Sequence, residues 1–549
     1  MKLNIKDYDI PSTIKLQNLL QRAKNQKTSV VDAIEEVSRY IDALLTVDGT
    51  TTSLNRVDLT IQDCTSSFSN FIMESVFGVK TNFAKNTVAE NTLNKKYKGE
   101  AFNKKREEIN SFLETQTDTV FKYIFSSNFY SEISQAIENF SSKGTGSYKI
   151  YATTSNKKPF IFENVPLYNL YFLEDAFGKP EYNFQEIRKV PVENVYQKYR
   201  ITEEIREFSN AQDQVSECDI IEFCVPVRKK APGITFDEDE EEEETAYYWG
   251  VADLGMTKVY KYELVPYNVF KTFRFSKVEG FCWGEGLGLL AIDAFERLTY
   301  YKQMQGRYTR KFVDPPMAIA GEPEYLNDLS AEPGAINYVG DGQFNMYPLF
   351  QQQQIYDLKE VIAVYKDEIR QIFMAQPLGT TNESDFARST EEIQYRISML
   401  KSRHAGTTEL IYQELLEPTF YAPYNILLEK KLIDKPPKEI ADDVEVLYIN
   451  ELTRYNDMEK VYNYTDYNNI VKTIYPGYSQ LPVLRTTTIP KIATLMNIPT
   501  TDVYTADELE KNMQSIMAQQ QAFALAQVNA KNGGSSNGQV TSDITGGEV

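Results

Sequence analysis

Residues 280–298, GFCWGEGLGLLAIDAFERL, place Gly284, Gly286 and Gly288 at alternate positions where a strand gives way to a helix. Glycines at such a junction let backbone N–H groups close around a phosphate at the positive end of a helix. The dinucleotide fingerprint needs glycine at its first, third and sixth places. Counting from Gly284, the sixth place is Leu289, and Glu285 inside the loop would repel a phosphate. No βαβ unit surrounds the segment, so the glycines read as a sharp turn into a long helix rather than as a nucleotide cradle.

Other chemistry is equally sparse. His404 is the sole histidine. It falls on the apolar stripe of a helix, where a packed, hydrogen-bonded ring is favoured over a catalytic one, and this removes Ser–His and Cys–His hydrolase readings. Cys64, Cys218, Cys224 and Cys282 show no C-x-x-C spacing and no nearby histidine, so zinc is not expected and reduced thiols are. Carboxylates are abundant enough for a glycosidase-like acid pair, but nothing singles out two of them. No catalytic residue, cofactor or metal is assigned, and the chain reads as a non-enzyme.

The 549 residues suffice for several domains and a large core. Against 58 basic residues stand 78 acidic ones, a net charge of −20. Such a surface does not grip nucleic acid by neutralising phosphates, although it can surround a duplex without holding it. The start MKLNIKDYDI lacks the apolar core of a signal peptide, and no run of 18 apolar residues occurs. A protein made and used inside a cell, with no membrane partner, is expected.

Apolar spacing predicts helices over 14–45, 68–79 and 104–140. Short aromatic and β-branched runs follow between 147 and 277, bounded by Gly, Pro, Asn and Asp, with a helix near 190–209 among them. The fold class is therefore α+β. Eight acidic residues in succession, Asp237 to Glu244, form the solvated tip of a hairpin, since like charges at that density repel.

From Leu290 the stripe Leu290, Ala294, Leu298, Tyr301, Met304, Tyr308, Phe312 marks a long helix, ended by Asp314-Pro315-Pro316. Arg307, Arg310 and Lys311 lie in its last turns, where cations complement the helix dipole. Short strands and turns fill 317–350. A second helix carries Ile355, Leu358, Ile362, Tyr365, Ile369 and Ile372 in alternating steps of three and four, a heptad seam. So short a seam must pack against a neighbouring helix, in this subunit or another. After a polar loop at 376–389, Ser389 and Glu392 form a capping box opening a third helix, with Ile393, Ile397, Leu400, His404, Ile411 and Leu415 running to a break at Pro418. A strand VEVLYI, a tyrosine-rich helix from Arg454 to about Tyr475 and a final helix from the box Thr505–Glu508 to about Ala530 complete the ordered part, and 532–549 have the composition of a disordered tail.

This order of elements resembles the portal, or head-to-tail connector, proteins of short-tailed bacteriophages. The segments that carry the resemblance are WGEGLGLLAIDAFERLTYYKQMQ, KFVDPPMAIAG with EPGAINYV, STEEIQYRISMLKSRHAGTTELIYQELLEPTF and NIPTTDVYTADEL. The acidic run at 237–244 departs from the pattern and reads as a peripheral insertion.

The resemblance implies a dodecameric homo-oligomer around a channel, in the virion at the portal vertex and in the host cytoplasm during assembly. It implies a wing at 1–288, a first stem helix at 289–313, a clip at 314–350 and a second stem helix at 351–375. A tunnel loop at 376–389 would follow, with Asn382, Glu383 and Arg388 toward DNA, then a long wing helix with strand and helix segments at 390–500 and a crown helix at 501–531. The stem seam, and Arg307, Arg310 and Lys311, would face neighbouring subunits or the channel. The implied partners are the terminase packaging motor, a tail adaptor, the major capsid and scaffolding proteins, and double-stranded DNA in transit during packaging and ejection. The alternatives are another ring or adaptor component of the particle, or a carboxylate-dependent hydrolase.

Overall fold

The structure, a computed structural model, describes residues 5–42, 46–47, 50–51, 58–78, 80–88, 100–201, 217–229, 246–321, 330, 332–340, 346–348, 356–375, 390–437 and 444–474, with isolated positions beyond. The chain divides into two compact units, Met1–Glu451 and Leu452–Val549.

The first unit opens with α1 (Thr13–Thr28), whose N-terminal amides are met by the Ser12 hydroxyl, accepting from the Lys15 N–H at 3.3 Å. Then come α2 (Val31–Ile41), the two-residue strands β1 (Thr46–Val47) and β2 (Thr50–Thr51), α3 (Thr60–Phe77) and β3 (Ala84–Val88). Two long helices follow, α4 (Glu100–Phe125) and α5 (Phe129–Lys143). Gly144, at φ 86°, ends α5 in the left-handed conformation that glycine adopts without steric cost. The chain then enters β4 (Thr145–Ala152), β5 (Phe160–Asn164), β6 (Leu170–Glu174) and β7 (Pro180–Pro191). Next are α6 (Val192–Tyr199), β8 (Glu217–Val227), β9 (Ala246–Asp253), β10 (Val259–Val265) and β11 (Phe270–Arg274).

Strands β6 to β10 form a five-stranded antiparallel meander, and β11-β4-β5 a separate three-stranded sheet. Leu16, Leu20 and Ala23 of α1 cover one face of the meander, against Phe184, Ile221, Phe223 and Tyr248. A phenylalanine network fills the space between α3, α4, α5 and the smaller sheet, with Phe83–Phe121 centroids 4.8 Å apart and Phe129–Phe162 5.1 Å apart, both edge-on. The two sheets are joined by a buried ion pair, Lys149 of β4 to Glu222 of β8 at 2.7 Å. Burial alone would raise the Glu222 carboxyl, but the Lys149 and Lys198 ammonium groups and the Trp249 indole N–H hold it below the usual range.

The strand-like runs expected over residues 147–277 are met by β4, β5, β6, β8, β9, β10 and β11. The helix expected near 190–209 is described as α6, and residues 202–216 lie outside the described residues. The longest strand, β7, was invisible in the pattern, because its buried positions include Asn183, Gln185 and Glu186. Tertiary partners satisfy two of them: the Thr272 hydroxyl donates to Asn183 Oδ1 at 2.8 Å, and Lys24 Nζ of α1 lies 2.5 Å from Glu186 Oε1. The acidic run is outside the described residues; the strands on either side of it, β8 and β9, pair antiparallel up to Val227 and Ala246.

Beyond β11, a short α7 (Leu287–Leu290) leads into α8 (Ile292–Val313). A small sheet follows in which β12 (Met317–Gly321) pairs parallel with β13 (Ile336–Gly340) and antiparallel with β14 (Met346–Pro348). Helix α9 (Tyr356–Ile372) comes next, then α10 (Thr390–Arg403), α11 (Ala405–Leu410), a π-helical turn at Ile411–Leu416 and α12 (Glu417–Glu429). Strand β15 (Val444–Tyr448) pairs with β3. Helix α13 (Glu451–Ile474) is the tyrosine-rich helix, and the final helix and tail lie outside the described residues.

Two expectations are corrected here. Pro418 does not end the third helix, because the π-helical turn re-registers the backbone and places Pro418 in the first turn of α12, where its missing N–H is harmless. His404 is not a mid-helix position but the break between α10 and α11, at φ −135° and ψ 53°. Its ring lies edge-on to Phe275 at 5.3 Å, and burial, followed by the Arg403 charge, lowers its pKa.

Candidate assembly and channel surface

The glycine turn anchors α8 by close backbone approach. A Cβ on Gly284 would stand 2.2 Å from the Gly144 carbonyl oxygen, on Gly286 2.3 Å from the Gly144 nitrogen, and on Gly288 2.5 Å from the Ser142 oxygen. The Gly284 N–H donates to Thr145 Oγ1 at 3.1 Å and the Glu285 N–H to the Ser276 carbonyl at 3.0 Å. The turn after α5 thus occupies the space over these glycines that a phosphate would need. They form no nucleotide cradle, as the sequence indicated, and beyond the turn expected there they allow close packing.

Helices α8 and α9 run antiparallel in contact. Tyr301 stacks on Tyr365 with centroids 5.7 Å apart at 14°, and Phe295 on Phe373 at 6.1 Å and 13°. The Arg297 guanidinium lies 6.0 Å over the Tyr365 ring. In the seam of α9, Ile362 and Ile369 are buried, Leu358, Tyr365 and Ile372 are partly buried, and Ile355 lies outside the described residues. The seam therefore has a partner in its own chain, α8. The sequence left the owner of the facing helix open, because it gives the spacing of a seam and not the chain that faces it.

A side chain far away in sequence ties the pair together. Asp58 Oδ2 lies 3.1 Å from Lys302 Nζ of α8 and 2.9 Å from Lys366 Nζ of α9, while Oδ1 accepts from the Thr60 N–H at 2.9 Å as α3 begins. Burial pushes the Asp58 carboxyl up, but the Thr60, Lys366 and Lys302 donors outweigh it and hold the group well below the usual range.

Away from this clamp the pair is open. Helix α8 buries Ala294, Phe295, Leu298 and Thr299, and no residue after Thr299 is buried. Tyr300 is 58% exposed, Met304 40%, Phe312 45% and, on α9, Val364 62%. Of the basic positions, Arg307 and Arg310 are exposed, whereas Lys311 is partly buried and has an interaction partner.

The loop at 376–389, with Asn382, Glu383 and Arg388, lies outside the described residues, as does the Ser389 end of the capping box. Its two flanks are fixed to each other: Arg403 of α10 donates to the Gln371 carbonyl of α9 at 3.0 Å.

Sequence reasoning missed Glu414. The π-helical turn carries its carboxylate into the core, where Oε2 accepts from the Arg274 backbone N–H at 3.0 Å and from Nε at 3.2 Å, and Oε1 lies 2.5 Å from Nη2. Arg274 also donates to the Cys282 and Gly178 carbonyls at 3.1 and 2.7 Å. The third helix is thereby locked to β11 and to the loop that leads into α7 and α8. Both residues are ordinary charged letters in sequence, and only the π-helical re-registration reveals them. Among the cysteines, Cys64, Cys224 and Cys282 are buried, and burial pushes their thiols up to about 11, 12 and 12. Among the described residues no helix is long and apolar enough to cross a membrane, and no three His, Cys, Asp or Glu side chains cluster to hold a metal.

The chain thus joins an α+β body to an antiparallel helix pair, α8 and α9, with a small sheet between them in sequence. The sequence family described as bacteriophage head to tail connecting protein matches residues 14–503, and the chain belongs to that family. Its role is thus structural, as a connector of the phage particle. No curated protein matches the chain.

Proposed function

We propose that copies of this chain form the portal ring at one capsid vertex, through which double-stranded DNA is packaged and ejected. Residues 289–313 and 351–375 act as stem helices, 314–350 as the clip that docks the terminase motor and the tail adaptor, and 376–389 as the tunnel loop, with Asn382, Glu383 and Arg388 toward the duplex. Residues 1–288 and 390–500 form the wing and 501–531 the crown, in contact with capsid and scaffolding proteins. The ring is a dodecamer. The reading is carried by one observation: α8 and α9 are clamped at Asp58, yet leave Tyr300, Met304, Phe312 and Val364 uncovered. A closed ring covers such surfaces with a neighbouring copy. The net charge of −20 supports a conduit, since every neutralised phosphate would add affinity and drag on a sliding duplex.

Negative-stain imaging of the purified chain tests it. Rings with a central hole are expected, and a protein that stays monomeric at every concentration tried would overturn the proposal. Packaging assays on Arg388→Ala test the tunnel loop, with altered DNA retention and unchanged ring formation expected.

A further inference from the structure

The exposed faces of α8 and α9 differ in charge, and their levels match. Between Glu296 and Asp314, α8 carries Arg297, Lys302, Arg307, Arg310 and Lys311 and no acidic residue. Lys302 is engaged by Asp58 and Arg297 lies over Tyr365, which leaves Arg307 and Arg310 as exposed cations without an ion pair among the described residues. On α9, Glu360 is likewise exposed and makes no ion pair among the described residues. Its neighbour Lys359 stands one heptad before Lys366 and so shares the flank that meets Asp58. Asp367 is exposed and held by Arg370 at 3.1 Å.

Position along the axis follows from the stacked pairs. Tyr301 faces Tyr365 and Phe295 faces Phe373, so on these antiparallel helices Arg307 stands level with residues 359–361 and Met304 with residues 362–364. Helical spacing turns Tyr300 and Arg307 to the side of α8 opposite Leu298, and Glu360, Val364 and Asp367 to the side of α9 opposite Ile369. Rotation about an axis running along the helices keeps each residue at its level. Opposite charges on these two faces therefore stand at one level in neighbouring copies related in this way.

We propose that the stem contact between subunits is heterologous, α8 of one copy on α9 of the next, with Arg307 paired to Glu360 and Met304 packed on Val364. The occupant of the exposed α8 face is thus a second copy of this chain. The inference rests on the ring reading and adds the partner face and its charge code. Opposite charges at one level also specify register and discourage like-on-like docking of two α8 faces.

The test is a charge swap read by mass photometry across concentration. Both positions are exposed, so each single variant should fold with wild-type thermal stability. Arg307→Glu alone and Glu360→Arg alone set like charges opposite one another, and each should raise the concentration for half-assembly by about tenfold. The double variant should return it to within about threefold of wild type, because the cycle isolates the pairwise interaction. Added salt should narrow these differences by screening. Single variants that assemble like wild type, or a double variant no better than either single, overturn the pairing while leaving the ring reading intact. A wild-type chain that never assembles overturns both.

Discussion

The Asp58 carboxylate lies 2.9 Å from the Lys366 ammonium, and the same oxygen lies 3.1 Å from Lys302, so one acidic side chain ahead of α3 holds both α8 and α9. Its position makes the geometry of the helix pair depend on the helical body that carries it. The lysines are about a quarter exposed, which moderates the electrostatic gain.

Asp58→Asn should therefore destabilise the chain by about 1–3 kcal/mol at neutral pH, with faster amide exchange in α8 and α9. The folded-state pKa is depressed, so this stabilisation is present above the unfolded value of 3.8 and fades as the pH falls through the lower folded value. Denaturant unfolding of wild type and variant at pH 7 and near pH 2 checks the sign. A gap that does not narrow in acid would mean the carboxylate charge is not responsible.

Arg274 and Glu414 are both buried; without Glu414 the guanidinium keeps the partly exposed Glu174 as its acidic partner, and without Arg274 the Glu414 carboxylate keeps only Lys277 at 4.0 Å. Glu414→Gln or Arg274→Met should each cost about 3–5 kcal/mol, seen as a large drop in thermal midpoint. Replacing both with apolar residues should cost less than the two single losses combined. Additive losses would show that the two act independently.

Two glycines should respond in opposite directions to alanine. At Gly286 a Cβ would meet the Gly144 nitrogen at 2.3 Å and the Ser142 oxygen at 2.7 Å, so Gly286→Ala should destabilise by about 2–4 kcal/mol. Gly306 sits inside α8 with nothing within 4 Å of the added methyl, and Gly306→Ala should stabilise the unassembled chain by about 0.5–1 kcal/mol. Calorimetry on both variants decides. Equal effects would refute the close-approach account.

His404, the sole histidine, gives a single signal in histidine-selective NMR. Its pKa should lie below 6.5, because burial and then the Arg403 charge disfavour the protonated ring. With the folded value depressed, the unfolded chain binds the proton more readily, so stability should fall as the pH drops from 6.5 toward the folded value. His404→Phe should flatten that slope. A titration at or above 6.5 would contradict the packing against Phe275.

The sequence determined the alternation of helical and strand-like segments, the long helix from the glycine turn to Asp314-Pro315-Pro316, the heptad spacing of α9 and the turn at Gly284, Gly286 and Gly288. These are local or periodic signals: hydrophobic spacing records which face is covered, and glycine or proline records what the backbone must do. Strand β7, the Glu414 lock, the Asp58 clamp and the owner of the seam's partner helix were decided only by tertiary structure. In each case a polar or charged side chain meets a partner distant in the chain, and its identity carries no trace of that partner. Periodicity says that a surface is buried; three-dimensional packing alone says by what.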